Sequence, residues 1–233
     1  MSIVEMLWSV LFYGVLGWFW EMVYASCKEE RYVNRGLLFG PICPLYGVVI
    51  TVVMSLVGES GIRLLLLLLV SIIMVIFLEW LTAYLPVRFL GVRLRDYSQL
   101  PGNVEGYICP LFSLGWAILC TLTARFGHSY LAGVLKWIPG SVSWVIFGIC
   151  YLAIAVDLVI QIRSLKKVGQ TLAELQELLG EKEKVSAHQG KKYQELLQTV
   201  GKTERRLFRA FPSMKYIKYP AAWEVLKEET GKN

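Results

Sequence analysis

Five long apolar stretches govern what this chain can fold into. They run from Val4 to Ser26, Leu37 to Val57, Ile62 to Leu85, Tyr107 to Ala124 and Ser141 to Ile162. About 20 consecutive apolar residues span the hydrocarbon core of a bilayer as a helix, so each stretch is read as a membrane-spanning helix. The composition agrees: 55% of the residues are hydrophobic and only 18% charged, too apolar for a chain with a fully wetted surface. The expectation is an all-α polytopic membrane bundle of about five transmembrane helices spanning residues 1–163, followed by a helical tail at 164–233. The opening MSIVE has no basic segment, so the first stretch is read as a retained helix rather than a signal peptide. HSYLAGVLKWIPG, from His128 to Gly140, is too short to cross and is expected to lie at the interface or re-enter.

The formal charge of +6 is unevenly placed. Nine Lys and Arg precede Ile162 and fifteen follow from Arg163, while the acidic residues divide nine and nine. Positive residues mark cytoplasmic segments. With the tail inside, the inner loops carry Lys28, Arg31, Arg35, Arg88, Arg93 and Arg95, against Arg63, Arg125 and Lys136 outside. The expected orientation is therefore N-terminus out, C-terminus cytoplasmic.

The tetrapeptide ICPL occurs twice, at Ile42–Leu45 and Ile108–Leu111, and it anchors a longer repeat. Glu21 pairs with Glu79, Asn34 with Asn103, Gly36 with Gly106 and Cys43-Pro44 with Cys109-Pro110, in the same order. The units cover about 4–57 and 62–124, with the fifth helix at about 141–162 outside them. Both enter from the same side, so they are parallel repeats related by an axis along the membrane normal. Proline is tolerated in a first helical turn, which suits Pro44 and Pro110. Gly36, Gly40, Pro41 and Gly47 imply irregular backbone around the first helix start, which needs protein or water around it at membrane depth. Two such helix starts facing one another would offer free N–H groups to a shared cavity; the alternative is plain helix entry at the surface.

Ionisable residues inside spans are costly and face the bundle interior, where they pair or line a pathway. Glu21, Glu79 and Asp157 all fall roughly 8 to 9 Å inside the expected cytoplasmic boundary at 1.5 Å per residue. Arg35, Arg93 and Arg95 are the candidate counter-charges for the two glutamates. Asn34, Arg35, Tyr97 and Asn103 join them as binding or pathway candidates. Cys43 and Cys109 with the two glutamates lack clustered ligand spacing, so no metal and no cofactor are expected. Cys27, Cys43, Cys109, Cys120 and Cys150 form no disulfide framework. His128 and His188 are the only histidines and are far apart in sequence; GKT at Gly201–Thr203 has Leu196 where a phosphate loop needs glycine. No nucleophile and base are visible, and the chain is not expected to be an enzyme.

In the tail, Leu165, Val168, Leu172, Leu175 and Leu179 alternate by three and four residues, and Tyr193, Leu196 and Val200 resume the pattern. Such a seam either pairs with a second copy or folds back as a helical hairpin. The basic and aromatic run that follows, with Arg205, Arg206, Phe208, Arg209 and Phe211, suits an anionic inner leaflet. It equally suits docking on the inner loops, with the two phenylalanines as anchors. Its juxtamembrane position argues against nucleic acid.

LGWFWEMVY, VNRGLLFGPICPLYG, FLEWLTAYL, RDYSQLPGNVEGYIC and RRLFRAFPSMK together resemble the CmpB-like ABC-transporter permease family, also described as type IV. The resemblance implies a signature at Glu21, Asn34, Arg35, Gly36, Gly40, Pro41, Pro44, Tyr46, Gly47, Glu79, Asp96, Tyr97, Ser98, Asn103 and Gly106. Arg95 stands where family members carry an aromatic residue. The expectation is a permease-like subunit with a cytoplasm-facing cavity, working with a separate ATPase subunit or coupled to an ion. The alternative is a scaffold or sensor whose tail recruits a cytoplasmic partner.

Overall fold

The computed structural model describes residues 1–57, 63–135, 137–180, 195–196 and 200–231. Ile62, Lys136, His188 and Tyr193, each named above, lie outside the described residues, as do the side chains of Lys28 and His128. The elements are α1 (Ile3–Glu29), α2 (Pro44–Val57), α3 (Leu64–Leu90), β1 (Val92–Arg93), α4 (Pro110–Leu135), α5 (Gly140–Gly180), α6 (Lys202–Ala210), β2 (Lys215–Tyr216) and α7 (Pro220–Gly231). By length and composition three described helices can cross a membrane: Ile3–Cys27, Leu64–Leu90 and Gly140–Leu179. The chain divides into two compact units, Met1–Thr82 with Tyr97–Leu158, and Ala83–Asp96 with Val159–Asn233.

In the first unit α1 begins with a capping box. Ser2 Oγ accepts the Glu5 N–H at 3.2 Å and Glu5 Oε2 accepts the Ser2 N–H at 2.7 Å, which satisfies two of the N–H groups a helix start leaves over. The tightest packing is between α1 and α2. A Cβ at Gly47 would strike the Val10 carbonyl, and one at Gly17 would lie 2.6 Å from Tyr46 Cβ, so glycine lets the two backbones meet. Tyr13, Val53 and Ala117 are fully buried where α1, α2 and α4 converge. The start of α5 packs on α1, where the Trp8 indole donates to Ser143 Oγ at 3.1 Å and the Tyr151 hydroxyl to the Leu7 carbonyl at 3.1 Å.

Several expectations are corrected. The second apolar stretch is helical only from Pro44, giving 14 residues, or about 21 Å of helix. Its first seven residues form a packed loop instead. The backbone there is irregular because other parts of the chain take up its N–H groups: Cys43 donates to the Gly14 carbonyl at 2.9 Å and Ile42 to Gly40 at 2.8 Å. The third stretch does not stop at Leu85; α3 runs through Pro86 to Leu90. A proline near a helix end forfeits one hydrogen bond without ending the helix there. His128–Leu135 is not a separate piece, since α4 continues to Leu135. The fifth helix does not end near Ile162 but runs unbroken into the seam, so the boundary drawn at 163 falls inside one 41-residue helix. Finally, β1 and β2 make the fold not wholly α.

The second unit explains that ribbon. Gly91 adopts φ +65 and ends α3, the left-handed closure that glycine takes without Cβ strain. Val92 then pairs with Tyr216 and Arg93 with Lys215 in antiparallel register. Asp96 clasps both strands, 3.4 Å from Arg93 Nη1 and 2.7 Å from Lys215 Nζ. Leu165, Val168, Leu172 and Leu175 are buried, together with Leu207, Met214, Trp223 and Leu226. Hydrogen bonds tie that face of α5 to the rest of the unit, Ser164 to Glu204 at 2.8 Å and Ala222 N–H to Gln176 at 3.2 Å. Within this unit the aromatic side chains find cover: Phe211 is buried and Phe208 packs edge-on against Trp223 at 5.1 Å. Arg209 is exposed, while Arg205 and Arg206 are half-buried. Gly201 of GKT is the N-cap of α6.

Tyr216 gives this unit a pH limit. Its hydroxyl donates to the Leu165 carbonyl at 2.9 Å, and burial, with Glu204 adding negative charge nearby, pushes the phenol above its usual range. A raised folded value means the folded state holds the proton more tightly. Its stabilisation is therefore complete below the unfolded value near 10 and is lost as pH rises beyond it. Alkaline titration of the full chain, followed by tryptophan fluorescence, is expected to show unfolding of this unit starting above about pH 10. In Tyr216→Phe, which forfeits about 1 kcal/mol of hydrogen bonding at neutral pH, that alkaline step should shrink; an unchanged step would assign it to other groups.

Candidate functional site

The site grows from one turn of α1. Gly17 and Glu21 are four residues apart and share a face of the helix. Because Gly17 has no side chain, Tyr46 lies directly against it, and its hydroxyl donates to Glu21 Oε1. Glu21 has only 3% of its side chain exposed; Arg35, at 15%, brings its Nε to 3.9 Å from the other carboxylate oxygen. The Arg35 guanidinium sits 5.7 Å from the Tyr24 ring centroid, within cation–π range. Of the three arginines considered as counter-charges, Arg35 pairs with Glu21, whereas Arg93 pairs with Asp96.

The second acid is held in a parallel way. Ser113 Oγ donates to Glu79 Oε2 and is also within reach of the Cys109 carbonyl at 3.1 Å. Tyr46 and Ser113 stand two and three residues after the prolines of the two ICPL copies. Each acid thus accepts a hydroxyl from the first turn of the helix that its own Cys-Pro begins. Between the two lies a chain of rings: Tyr46 on Trp116 at 4.9 Å, and on the same helix Phe112, which meets Tyr24 edge-on and stacks on Tyr97, both at 5.7 Å.

The asparagines hold loop backbone. Asn34 Oδ1 accepts the Trp18 indole at 2.8 Å and the Gly36 N–H at 3.2 Å. Asn103 Oδ1 accepts the Gly106 N–H at 2.9 Å while its Nδ2 donates to the Leu100 carbonyl at 2.7 Å. Both staple the loop ahead of a Cys-Pro helix. Asp157 also holds backbone: one oxygen accepts the N–H groups of Phe39 at 2.8 Å and Gly40 at 3.1 Å, just before Pro41. The N–H groups of Ile42, Cys43 and Tyr46 are likewise engaged within the protein. Cys109 is buried, and no group of three or more His, Cys, Asp and Glu converges among the described residues.

Ser113, Trp116, Tyr24 and Phe112 were not singled out from the sequence. The available signal was positional, since Tyr46 and Phe112 occupy the same place after Pro44 and Pro110. Arrangement and sequence signature agree with one comparison: residues 8–162 match the family described as "Putative ABC-transporter type IV". The chain belongs to this family. With three apolar helices of spanning length it is a multi-pass membrane protein of an ABC-transporter class. No curated protein and no solved structure matched it.

Proposed function

We propose that this chain is the permease subunit of a transporter, crossing the bacterial inner membrane five times with its N-terminus outside. In this reading α2 with its packed entry loop is the second crossing and α4 the fourth. Residues 4–57 and 62–124 are parallel repeats, the fifth helix adds to them, and residues 164–233 are cytoplasmic. Glu21 and Glu79 flank the path, and the Tyr46, Trp116 and Phe112 rings between them are its gate. The observation that carries the reading is that each glutamate accepts a hydroxyl from the first turn of a Cys-Pro helix, Glu21 from Tyr46 and Glu79 from Ser113, although the two hydroxyls stand one residue apart in register. Glu21 is buried and Glu79 half-buried among apolar helices, where an ionisable group marks a pathway by default.

An ABC-class permease works with an ATPase subunit. Affinity purification of the full chain from native membranes in mild detergent is expected to retain an ATP-hydrolysing subunit at fixed stoichiometry. Its repeated absence would sink the ATP-driven reading and leave an ion-coupled carrier, for which Glu21→Gln and Glu79→Gln should abolish ion flux in liposomes.

The scaffold alternative is supported by the well-packed second unit, whose Leu172, Leu175, Leu207 and Leu226 are fully buried. Deleting Leu165–Asn233 separates the two: a scaffold loses all activity, whereas a carrier keeps some transport.

A further inference from the structure

Arg35 is a half-buried cation whose Nε atom is cut off from solvent. A guanidinium carries five N–H donors and stays charged at any physiological pH, so burying it without acceptors is costly. Here 15% of the side chain is exposed, yet no described residue accepts a hydrogen bond from it. Its Nε is fully buried and unsatisfied. Glu21 balances the charge at 3.9 Å, but its nearer oxygen contact is the Tyr46 hydroxyl, so the ion pair is not closed into the two-pronged geometry that arginine and carboxylate form.

Tyr24, whose ring lies 5.7 Å from the Arg35 guanidinium, is 39% exposed, which leaves this side of the site open. Phe112 holds the Tyr24 and Tyr97 rings in place from between them. The loop carrying Arg35 is itself fixed, by Asn34 on Trp18 and Gly36. A planar fork of donors on a loop fixed in this way, next to the Tyr24 ring and with Tyr97 reached through Phe112, matches an anion with several oxygens better than a single-point ligand.

We propose that Arg35, with Tyr24 and Tyr97, is a binding site for a phosphoryl oxyanion, taken either from a free phosphate-bearing solute or from an anionic lipid headgroup. This rests on the reading of the site as part of the transport path and names the chemistry of what enters it. The Nη edge of Arg35 takes the oxyanion while Glu21 stays on the Nε side, held by Tyr46.

The test uses the full chain purified in an uncharged detergent. One arm titrates inorganic phosphate by calorimetry; the other reconstitutes the chain in nanodiscs with and without phosphatidylglycerol and counts retained lipid by native mass spectrometry. Saturable binding is expected in one arm at least, phosphate alone indicating a free solute and phosphatidylglycerol alone a headgroup. Arg35→Gln should weaken that binding at least tenfold, and exposed Arg88→Gln should not. Should Arg35→Gln fail to fold, the neutral pair Glu21→Gln/Arg35→Gln removes both charges together and is expected to fold and not bind. Absence of saturable binding in both arms overturns the proposal, as does binding that persists in the paired variant. The outcome is separable from the transport reading: binding without a co-purifying ATPase keeps the anion site, and a co-purifying ATPase without binding keeps the permease.

Discussion

Gly47→Val is expected to abolish monodisperse protein in detergent. The first added carbon would fall on the Val10 carbonyl, which is backbone of α1 and has no rotamer to yield. Overpacking costs about 1–3 kcal/mol where side chains can shift; here the helices themselves must part. They would take with them the contact that lays Tyr46 along Gly17 and delivers its hydroxyl to Glu21. Gly115 is the control, since a Cβ there meets nothing within 4 Å. Size-exclusion profiles of tagged protein distinguish the cases: Gly115→Ala elutes as wild type and Gly47→Val aggregates. A normal Gly47→Val profile would mean that α1 and α2 do not pack through this glycine.

Glu21→Ala is expected to destabilise the first unit by about 3–5 kcal/mol, the usual result of removing one partner of a buried ion pair. The loss arises less from the missing attraction than from Arg35, left charged and without its counter-ion. Glu21→Gln/Arg35→Gln should recover most of that loss, because it removes both charges at nearly constant shape. Thermal midpoints of the single and paired variants measure this directly. If the paired variant is no more stable than the summed single losses, Glu21 and Arg35 are not energetically coupled.

Local physics made much of the chain legible. The apolar stretches locate α1, α3 and the first half of α5 to within a few residues of their ends, because helix length in a membrane is dictated by the hydrocarbon thickness. The ordered repetition of Glu, Asn, Gly and Cys-Pro picked out residues that take parallel roles, glutamates meeting hydroxyls and asparagines stapling loops. The leucine seam was legible as a buried face, since its spacing follows the helical period.

What stayed open along the chain shares one cause. Leu37 to Cys43 is as apolar as a span, but its backbone finds partners in Gly14 and Asp157, so it need not become helical. The basic-aromatic run reads as a membrane-surface segment, with the cover that Trp223 gives Phe208 out of view. Apolar pattern says that a residue seeks cover and leaves open what provides it.

By itself, the sequence determined that this is a helical membrane chain and where its long helices begin. Those are consequences of hydrocarbon thickness and helical period, both written along the chain. Only the tertiary structure decided that Tyr46 and Ser113 donate to the acids and that Arg35 stands beside Glu21 with its Nε buried and unsatisfied. It also decided that the α5 seam is covered by residues of the same chain. Those outcomes depend on which distant segment reaches each polar group first, and no period or propensity along the chain encodes that.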